Sequence, residues 1–359
     1  MAYTITGTDQ ADVLEGTEGR NALFGKEGND TLRGLGGYDL LVGGPGQDTL
    51  DGGPGTDTAY YRDMDGPITV TLDGSNYAIV SVYDDYEDVT HHEDTLRNIE
   101  NIQGSPDGDT ITGDGSRNYL YGFHGHDTIR GASGDDRLYG HEGYDVLEGN
   151  AGDDLVWGHS GNDTLKGDEG DDILYGDEGR DVLDGGSGQD TATYLGASGP
   201  VQITLSGSMV IPAHVNGVIE DHLSNIENIT GGRFGDALTG DSYNNRLKGL
   251  DGSDTLSGNA GDDTLIGGPG DDTSTGGSGA DRFVYDSDSS GSDLITDFSR
   301  GDGDKINLSS DLVASITQQY GTAQADSLIS VNLDSDDSTA EISILVKGVA
   351  DLTTGDFLA

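Results

Sequence analysis

A nine-residue period runs through this chain and restricts its fold more than any other feature. One copy, residues 25–33, reads Gly-Lys-Glu-Gly-Asn-Asp-Thr-Leu-Arg. Twenty-two copies keep one register through residues 7–60, 104–193 and 231–284, which is more than half of the 359 residues. Nearly every copy has aspartate at its sixth position. Self-similarity at so short a period predicts a solenoid, in which each repeat packs only on its neighbours.

Without this period, the composition would be typical of a disordered chain. Only 32% of the residues are hydrophobic, 61 are glycine, and the formal net charge is −50. Apolar burial cannot then offset chain entropy and self-repulsion. We therefore predict a solenoid whose folding depends on counter-ions. The charge also excludes nucleic acid, whose phosphates it would repel, and favours divalent cations as partners.

The sequence carries no signal for disulfides or for membrane insertion. It has no cysteine, which excludes disulfides and thiolate metal sites. No apolar run approaches the roughly 20 residues of a membrane span, and residues 1–4 do not begin a cleaved secretory signal. We expect no transmembrane segment, and any export must use another route.

Each copy can be written Gly-x-x-Gly-x-Asp-x-U-x, where U is apolar. The glycines permit positive φ, so the first six positions suit a tight turn. The last three suit a short strand whose middle residue points inward. Two copies form one coil, so residues eighteen apart stack about 4.8 Å apart. The predicted core residues are Leu32, Leu41, Leu50, Ile129, Leu138, Leu147, Val156, Leu165, Leu174 and Leu183.

Two segments carry a resemblance to a known family. Residues 43–51, Gly-Gly-Pro-Gly-Gln-Asp-Thr-Leu-Asp, and 185–190, Gly-Gly-Ser-Gly-Gln-Asp, resemble the Gly-Gly-x-Gly-x-Asp-x-U-x repeat of RTX (hemolysin-type) calcium-binding proteins. The resemblance implies an all-β fold, a right-handed parallel β-roll in three blocks. It also implies that the sixth-position aspartates of copies n and n+2 hold one Ca²⁺, with backbone carbonyls completing the shell. Hard oxygen ligands of this kind suit Ca²⁺.

Transferred to this sequence, the resemblance predicts a large set of calcium ligands. Pairing copies within each block gives about 16 ions. The second copy of each block has asparagine instead of aspartate, which we interpret as an entry coil with fewer charges. The predicted metal ligands are Asp12, Asp30, Asp39, Asp48, Asp57, Asp109, Asp127, Asp136, Asp145, Asp154, Asp163, Asp172, Asp181, Asp190, Asp236, Asp254, Asp263, Asp272 and Asp281, with Asn21, Asn118 and Asn245 at the entry coils.

The period also predicts the organisation of the chain. The roll blocks are 1–60, 104–193 and 231–284, and the two interruptions, 61–103 and 194–230, resemble each other. Each interruption has alternating apolar residues and ends in a degenerate repeat, so we predict inserted antiparallel β segments that cap the roll. Residues 285–359 resemble the segment after the roll in serralysin-type proteases and alginate epimerases. The ending Asp356-Phe357-Leu358-Ala359 resembles a type I secretion signal.

Positions seven and nine of each copy face outward and divide the two sheets of the roll by chemistry. One sheet of the second block has alternating charges at position nine, which suits cross-strand pairing: Arg130, Glu148, Lys166 and Asp184. The other has an aromatic column, a candidate ligand or partner face: Tyr119, Tyr121, Tyr139, Trp157 and Tyr175. Either other parts of the chain cover this column, which we favour, or it binds a glycan or another chain.

Four histidines, His124, His126, His141 and His159, lie on one edge of the second block. They would suit a transition metal or a pH response, but we expect solvated turn residues. Ice binding would need unbroken threonine columns, and Val146 interrupts the one formed by Thr128 and Thr164.

No catalytic motif was found in the sequence, so we predict no enzymatic activity. The segment His91-His92-Glu93-Asp94 does not have the His-Glu-x-x-His spacing of a zinc protease. We predict a secreted, extracellular protein that folds on binding many Ca²⁺ ions and acts as a structural or adhesive module. Its partners would be calcium, the type I secretion machinery and an extracellular polysaccharide or cell surface. The alternatives are the accessory region of a secreted protease, lipase or epimerase, or a calcium-dependent glycan-binding module.

Overall fold

The computed structural model describes residues 3–84, 89–286, 288–308, 317–320, 327–331, 342–349 and 352–358. It is an all-β parallel solenoid, as predicted, with short antiparallel segments. The described residues contain one 3₁₀ helix, Thr354–Asp356, and no helix long and apolar enough to cross a membrane. The chain forms two compact units, Met1–Gly188 and Gln189–Ala359, called unit 1 and unit 2.

Unit 1 consists of two sheets. The odd-numbered strands except β9 form sheet A, and β9 with the even-numbered strands forms sheet B. In chain order the strands are β1 (Tyr3–Thr6), β2 (Val13–Thr17), β3 (Asn21–Phe24), β4 (Thr31–Leu35), β5 (Leu40–Val42), β6 (Thr49–Asp51), β7 (Thr58–Tyr60), β8 (Ile68–Thr71), β9 (Ala78–Asp84), β10 (Val89–Arg97), β11 (Asn101–Gln103), β12 (Thr110–Thr112), β13 (Tyr119–His124), β14 (Thr128–Ser133), β15 (Arg137–Gly143), β16 (Val146–Ala151), β17 (Leu155–Gly161), β18 (Thr164–Glu169), β19 (Ile173–Glu178) and β20 (Val182–Ser187).

The core is a single file of position-eight side chains from each sheet. Parallel neighbours pair residues eighteen apart, for example Leu32 with Leu50 and Leu138 with Val156. All ten predicted core residues are completely buried, which confirms the inward assignment. Burial of each such side chain stabilises the fold by about 1.5–3 kcal/mol. This gain is small in comparison with the conformational entropy that the nine residues of a repeat lose when they become ordered.

The turns explain why glycine occupies position four. Gly161 has φ 142°, and a methyl group there would overlap the carbonyl oxygen of Gly143 in the adjacent coil. Position two also has positive φ in most copies, even where a side chain is present, as at Lys26 (84°) and His141 (75°). The stacked turns therefore approach each other through backbone alone, which brings their oxygens close together.

The first interruption lies inside the solenoid. In sheet A, β11 pairs in parallel with both β7 and β13, so the sheet passes from the first block to the second. In sheet B, β9 pairs in antiparallel fashion with β8 and with β10. Strand β8 continues into the second block by parallel pairing with β12, and β10 continues into the first block by parallel pairing with β6. The antiparallel segments are confirmed, and in unit 1 they join two blocks instead of covering a free end.

Unit 2 repeats this arrangement. Its strands are β21 (Thr191–Thr193), β22 (Val201–Thr204), β23 (Ile211–Val215), β24 (Val218–Ser224), β25 (Asn228–Thr230), β26 (Ala237–Thr239), β27 (Arg246–Lys248), β28 (Thr255–Ala260), β29 (Thr264–Ile266), β30 (Thr273–Ser278), β31 (Arg282–Tyr285), β32 (Gly291–Ile295), β33 (Lys305–Leu308), β34 (Thr317–Tyr320), β35 (Ser327–Val331), β36 (Ile342–Val346) and β37 (Phe357–Leu358). Sheet A of unit 2 has the order β21-β25-β27-β29-β31-β33-β37.

The C-terminal segment is part of this fold. Phe357 pairs with Ile306 of β33, and Arg300 makes two hydrogen bonds, of 2.6 and 2.8 Å, to the Asp356 carboxylate. The last residue of the secretion-like ending, Ala359, lies outside the described residues.

Candidate metal centre

The sixth-position carboxylates form two ladders along the edges of the roll. Each lies just before a strand, so the solenoid stacks them coil upon coil. In each pair, Oδ1 of the later residue accepts the backbone N–H of the residue eighteen earlier. Asp145 accepts from Asp127, and Asp163 accepts from Asp145, both at 2.8 Å. Asp30, Asp48, Asp127 and Asp254 are at most 2% exposed.

The second oxygen of these carboxylates is the strongest indication of a bound cation. It is buried and has no hydrogen-bond donor among the described residues. A buried anionic oxygen without a partner is costly, and native proteins pair such groups or bind a metal there. The residues with this unpartnered Oδ2 are Asp30, Asp39, Asp57, Asp127, Asp136, Asp145, Asp154, Asp163, Asp254, Asp263, Asp272, Asp281 and Asp293.

Backbone oxygens lie beside the same carboxylate oxygens. A methyl group on Gly25 would overlap both Asp30 Oδ2 and the carbonyl oxygen of Gly43 in the next coil. The same overlap recurs at Gly149, with Asp154 and the Gly167 carbonyl. Position-one glycines such as Gly25 and Gly149 therefore lie against a carboxylate and a carbonyl oxygen, which are hard ligands that suit Ca²⁺.

Side chains alone do not complete a metal shell. Among the described residues, no three histidine, cysteine, aspartate or glutamate side chains converge on one point. Carbonyl oxygens of the turns must therefore supply the remaining ligands. The residues fit calcium, which accepts mixed carboxylate and carbonyl shells, and do not fit a soft metal.

Electrostatics also favours a cation at the ladders. Burial raises the pKa of Asp127 to about 8, and the neighbouring Asp109 and Asp145 carboxylates raise it further against the hydrogen bond from the Asp109 N–H. Burial likewise raises the pKa of Asp254 to about 8, with repulsion from Asp272 and Asp236. Stacked carboxylates thus resist ionisation unless positive charge lies between them.

The turns fall into two classes. In the first two repeats of each block, position two lacks positive φ, and its backbone N–H donates to the sixth side chain of the same turn. We call these closed turns. Their sixth residues are Asp12, Asn21, Asp109, Asn118, Asp236 and Asn245, with N–H···O distances of 2.5–2.8 Å.

All later repeats have positive φ at position two, and we call these open turns. In the open turns of Asp30, Asp127 and Asp254, for example, Oδ2 has no hydrogen-bond donor among the described residues. The asparagine amides of the closed turns are also engaged: Nδ2 of Asn118 and of Asn245 donates, at 2.8 Å, to the carbonyls of Glu100 and Glu227. The predicted ligands therefore separate into hydrogen-bonded and available groups.

The repeats match a known family. The model of the RTX calcium-binding nonapeptide repeat matches residues 4–32, 24–59, 103–138, 130–165, 157–192, 230–265 and 248–283, which together are more than half of the chain. The chain belongs to the RTX calcium-binding repeat family. The repeats of this family bind calcium, in agreement with the ladder chemistry.

Two solved structures are similar to this RTX chain. One is the extracellular lipase LipA from Serratia marcescens, with 22% identity and a TM-score of 0.28, over 61% of this chain and 40% of the lipase. The other is the AlgE6R3 subunit of the Azotobacter vinelandii mannuronan C5-epimerase, with 25% identity and a TM-score of 0.30. That match covers 36% of this chain and 80% of the subunit. The RTX chain thus spans less than half of the lipase. A search of curated protein sequences found no match.

Five acidic residues outside the regular repeats extend the RTX ladders. Asp48 donates its N–H to Asp94 at 2.9 Å, and Asp57 donates to Glu100 at 2.8 Å. The others that accept in this way are Glu227, Asp293 and Asp304. Sequence reasoning missed them because the position-one glycine of the repeat is absent there. Each nevertheless begins an acid-x-U-x stretch, such as Asp94-Thr-Leu-Arg, which is the signal that would have found them.

The aromatic column forms a stacked ladder on sheet A of unit 1. Tyr121 and Tyr139 stack with ring centroids 4.7 Å apart and planes 5° apart, and Trp157 stacks on Tyr175 at 4.7 Å. Tyr139 and Trp157 join the two pairs, with ring centroids 6.1 Å apart and planes tilted by 35°, so each of these two inner rings has a ring of the column on both sides. Tyr119, at position seven, lies beside this column and faces the Arg137 guanidinium at 5.2 Å.

The first interruption covers part of this face. Arg62 lies over the Phe123 ring at 4.6 Å, and Met64 lines a cavity of about 230 Å³ with Phe24, Val42 and Tyr60. At these two places, the structure agrees with the expectation that other parts of the chain cover the aromatic sheet.

The prediction of solvated turn residues was wrong for two of the four histidines. His141 and His159 are half-buried and stack at 4.6 Å, between Phe123 and Trp157. Burial lowers the pKa of His141 to about 4, and His159 lowers it further. His124 and His126 are exposed, as expected. Position two of an open turn directs its side chain onto the aromatic ladder, which the spacing alone does not show.

The charged column on sheet B of unit 1 is confirmed. Glu148 accepts from Arg130 at 2.8 Å and from Lys166 at 2.9 Å, across adjacent strands. The Lys166 and Arg130 hydrogen bonds lower the pKa of Glu148 despite partial burial. Alternating signs at eighteen-residue spacing thus pair as the register requires.

Proposed function

We propose that this RTX protein is secreted, folds on binding about 16 Ca²⁺ ions, and acts as a non-catalytic extracellular structural or adhesive module. The observation that carries the proposal is the buried column of carboxylate oxygens without a donor. Such a column is incompatible with a stable ion-free fold, because each buried charge would lack compensation.

The number of ions follows from the turn classes. Four open turns occur in the first block, eight in the second and four in the third. We assign one ion to each open turn and none to the closed turns, whose oxygens already accept hydrogen bonds. Asp12, Asp109 and Asp236 then act as ladder ends and not as full ligands.

Calcium-dependent folding supports the extracellular assignment. Binding energy of sites formed only in the fold is folding energy, so the chain stays unfolded where free Ca²⁺ is scarce. Ca²⁺ sites of extracellular modules have dissociation constants of about 10⁻⁴–10⁻³ M. This range matches the free Ca²⁺ concentration outside the cell and not that of the cytosol. We infer export in the unfolded state by the type I route, with Asp356, Phe357 and Leu358 in the signal.

The aromatic ladder supports a structural function in preference to glycan stacking. A sugar ring stacks on a free aromatic face, whereas Tyr139 and Trp157 each lie between two rings of the column, and Tyr121 and Tyr175 are each stacked on one of them. The indole N–H of Trp157 also donates to Asp177 at 2.6 Å. We therefore assign this ladder to stabilisation of sheet A.

Far-ultraviolet circular dichroism during a Ca²⁺ titration tests the proposal. We expect a disordered spectrum in chelator and a cooperative change to β-structure at millimolar Ca²⁺, with about 16 ions bound by equilibrium dialysis. Mg²⁺ is the control and should not produce the change at the same concentration. A folded spectrum in chelator would refute the proposal.

A further inference from the structure

The outer face of sheet A in unit 2 carries basic residues and no acidic ones. Its four basic residues, called the basic strip, are Arg246, Lys248, Arg282 and Lys305. The other positions on this face of β21, β25, β27, β29, β31 and β33 are uncharged, and Thr193, Asn228 and Ile266 among them are buried: Thr191, Thr193, Asn228, Thr230, Thr264, Ile266, Val284 and Asn307. In a chain with 17 basic and 67 acidic residues, such a face is unexpected.

The strand register aligns these residues along the solenoid. Arg246 pairs with Thr264, Thr264 with Arg282, and Arg282 with Lys305. Neighbouring strands lie about 4.8 Å apart, so Arg246, Arg282 and Lys305 follow one line across four strands, with Lys248 beside it. The residues after Arg246, Arg282 and Lys305 are buried core residues, which places the basic side chains on the outer face.

The basic strip has no internal counter-charge. Among the described residues, none of its four members forms an ion pair, and Lys305 Nζ donates only to the Gly355 carbonyl, at 2.7 Å. In unit 1, by contrast, Arg130 and Lys166 share Glu148. Unpaired cations on one face, within a strongly acidic chain, indicate an anionic partner.

A concave site lies at the end of the strip. Arg282 and Lys305 line a cavity of about 460 Å³ together with Asn244, Thr264 and Leu358. Asp262 also lines it, and its Oδ1 accepts the Ala280 N–H at 2.8 Å. The cavity offers two cations, the Asp262 carboxylate and neutral hydrogen-bonding groups beside an apolar side chain, a combination that suits a sugar with both hydroxyl and anionic groups.

We propose that the basic strip binds an acidic polysaccharide, which lies along the solenoid with its carboxylate or sulfate groups on Arg246, Lys248, Arg282 and Lys305. The proposal names a partner for the module proposed above and requires the calcium-loaded sheet. The terminal cavity holds one sugar ring, and Arg282 binds its anionic group through a bidentate contact.

Charge density favours a polysaccharide over other polyanions. Duplex DNA carries one charge about every 1.7 Å, which is closer than the spacing of the four cations on their separate strands. The net negative charge of the chain also repels DNA. A membrane presents a plane of charge, which would meet the exposed acidic turns beside the sheet, such as Asp251, Asp262 and Asp302. A slender chain with one anionic group per ring follows the strip and meets only Asp262 of these residues, at the terminal cavity.

Isothermal titration calorimetry of the calcium-loaded protein with hexagalacturonate tests the proposal. Arg282→Thr with Lys305→Thr should weaken binding about tenfold or more, since two charge-assisted contacts are lost. Threonine already occupies this column at Thr264, so the variant keeps the strand. The matched control, Arg20→Thr with Arg33→Thr, removes two exposed basic residues from unit 1 and should leave binding unchanged.

Three further outcomes would overturn the proposal. These are no binding by the wild type, equal binding of neutral maltohexaose, and binding to phosphatidylglycerol vesicles without binding to the sugar. If the first variant fails to fold in the circular dichroism assay, Arg246→Thr with Lys248→Thr replaces it. A wild type that folds with Ca²⁺ but binds no sugar refutes the strip alone, whereas one that does not respond to Ca²⁺ refutes the proposed function.

Discussion

Closed and open turns are built from one nine-residue repeat, yet they treat the same carboxylate differently. In the closed turn of Asp109, the N–H and hydroxyl of Ser105 donate to the carboxylate, each at 2.7 Å. In the open turn of Asp127, the position-two residue Phe123 has φ 77°, and Oδ2 has no donor. Burial raises the pKa of Asp109 to about 6 and that of Asp127 to about 8, and the Ser105 hydrogen bonds act against the rise at Asp109.

Under the proposed assignment of ions, one backbone torsion decides whether a repeat requires an ion. Rotating position two to positive φ removes the internal donor and leaves an oxygen for calcium. Each block begins with two closed turns, which satisfy themselves and need no ion. A coil of closed turns can therefore form first and provide strand edges on which the open turns assemble when calcium is present.

The largest expected effect comes from removing an open-turn carboxylate. Asp145→Ala removes the acceptor for the Asp127 N–H and one ligand from two adjacent sites. We expect the loss of about two ions and a destabilisation of about 3–5 kcal/mol, because buried partners lose their counterpart. Calcium stoichiometry by dialysis and denaturant unfolding at saturating Ca²⁺ measure both quantities.

Two variants make this test a comparison. Asp109→Ala, in a closed turn, should cost about 1–3 kcal/mol without changing the number of ions. Asp153→Ala, at an exposed position five, should change neither. Equal loss of calcium from the Asp145 and Asp109 variants would show that the turn classes do not differ in function.

The next effect concerns the close approach of open turns. Gly161→Ala places a methyl group against the Gly143 carbonyl and requires positive φ of a non-glycine residue. We expect a destabilisation of about 2–3 kcal/mol. Gly115→Ala, in a closed turn with no atom within 4 Å of the added carbon, is the matched control and should be nearly neutral. Similar unfolding midpoints for the two variants would contradict this packing.

A smaller effect is expected from changing a closed turn toward the open consensus. Asn118→Asp introduces the usual residue but removes the amide that donates to the Glu100 carbonyl. We expect no additional ion and a loss of about 1–2 kcal/mol, since two acceptors then face each other. One extra Ca²⁺ in the dialysis count would show that residue type, and not backbone conformation, sets the class.

The periodic features of this structure follow from the sequence, because two positions carry them. Position eight supplies the core, and position six supplies the ladder, both readable from any copy. The turn class depends instead on φ at position two, where residues as different as Phe123 and His141 adopt the same conformation. The stacked histidines depend on that torsion as well.

Other features lie outside the period. Glu100 continues a ladder without any nearby repeat consensus, since register and not glycine content places it. In the basic strip, Arg246 and Arg282 keep the eighteen-residue register through Thr264, whereas Lys305 lies outside the period. Its alignment becomes visible only when the strands after residue 285 are placed.

The smallest predicted effect concerns a carboxylate outside the ladders, whose pKa moves in the opposite direction. The Arg300 hydrogen bonds lower the pKa of Asp356 from 3.8 to about 2 against partial burial. A group with a lowered folded-state pKa stabilises the fold above its unfolded value and loses this effect as the pH falls toward 2. Arg300→Gln should therefore cost about 1–2 kcal/mol, by the same amount at every pH between 5 and 7.

Unfolding of the wild type and of Arg300→Gln at saturating Ca²⁺, compared at pH 5, 6 and 7, measures this difference. Any pH dependence that arises at the ladder carboxylates is common to both proteins, so the difference between their free energies of unfolding cancels it. If the difference in unfolding free energy between the two proteins shrinks between pH 7 and pH 5, Asp356 takes up its proton in the same pH range as the ladder carboxylates. A constant difference would separate the C-terminal anchor, which needs no ion, from the open turns, which do.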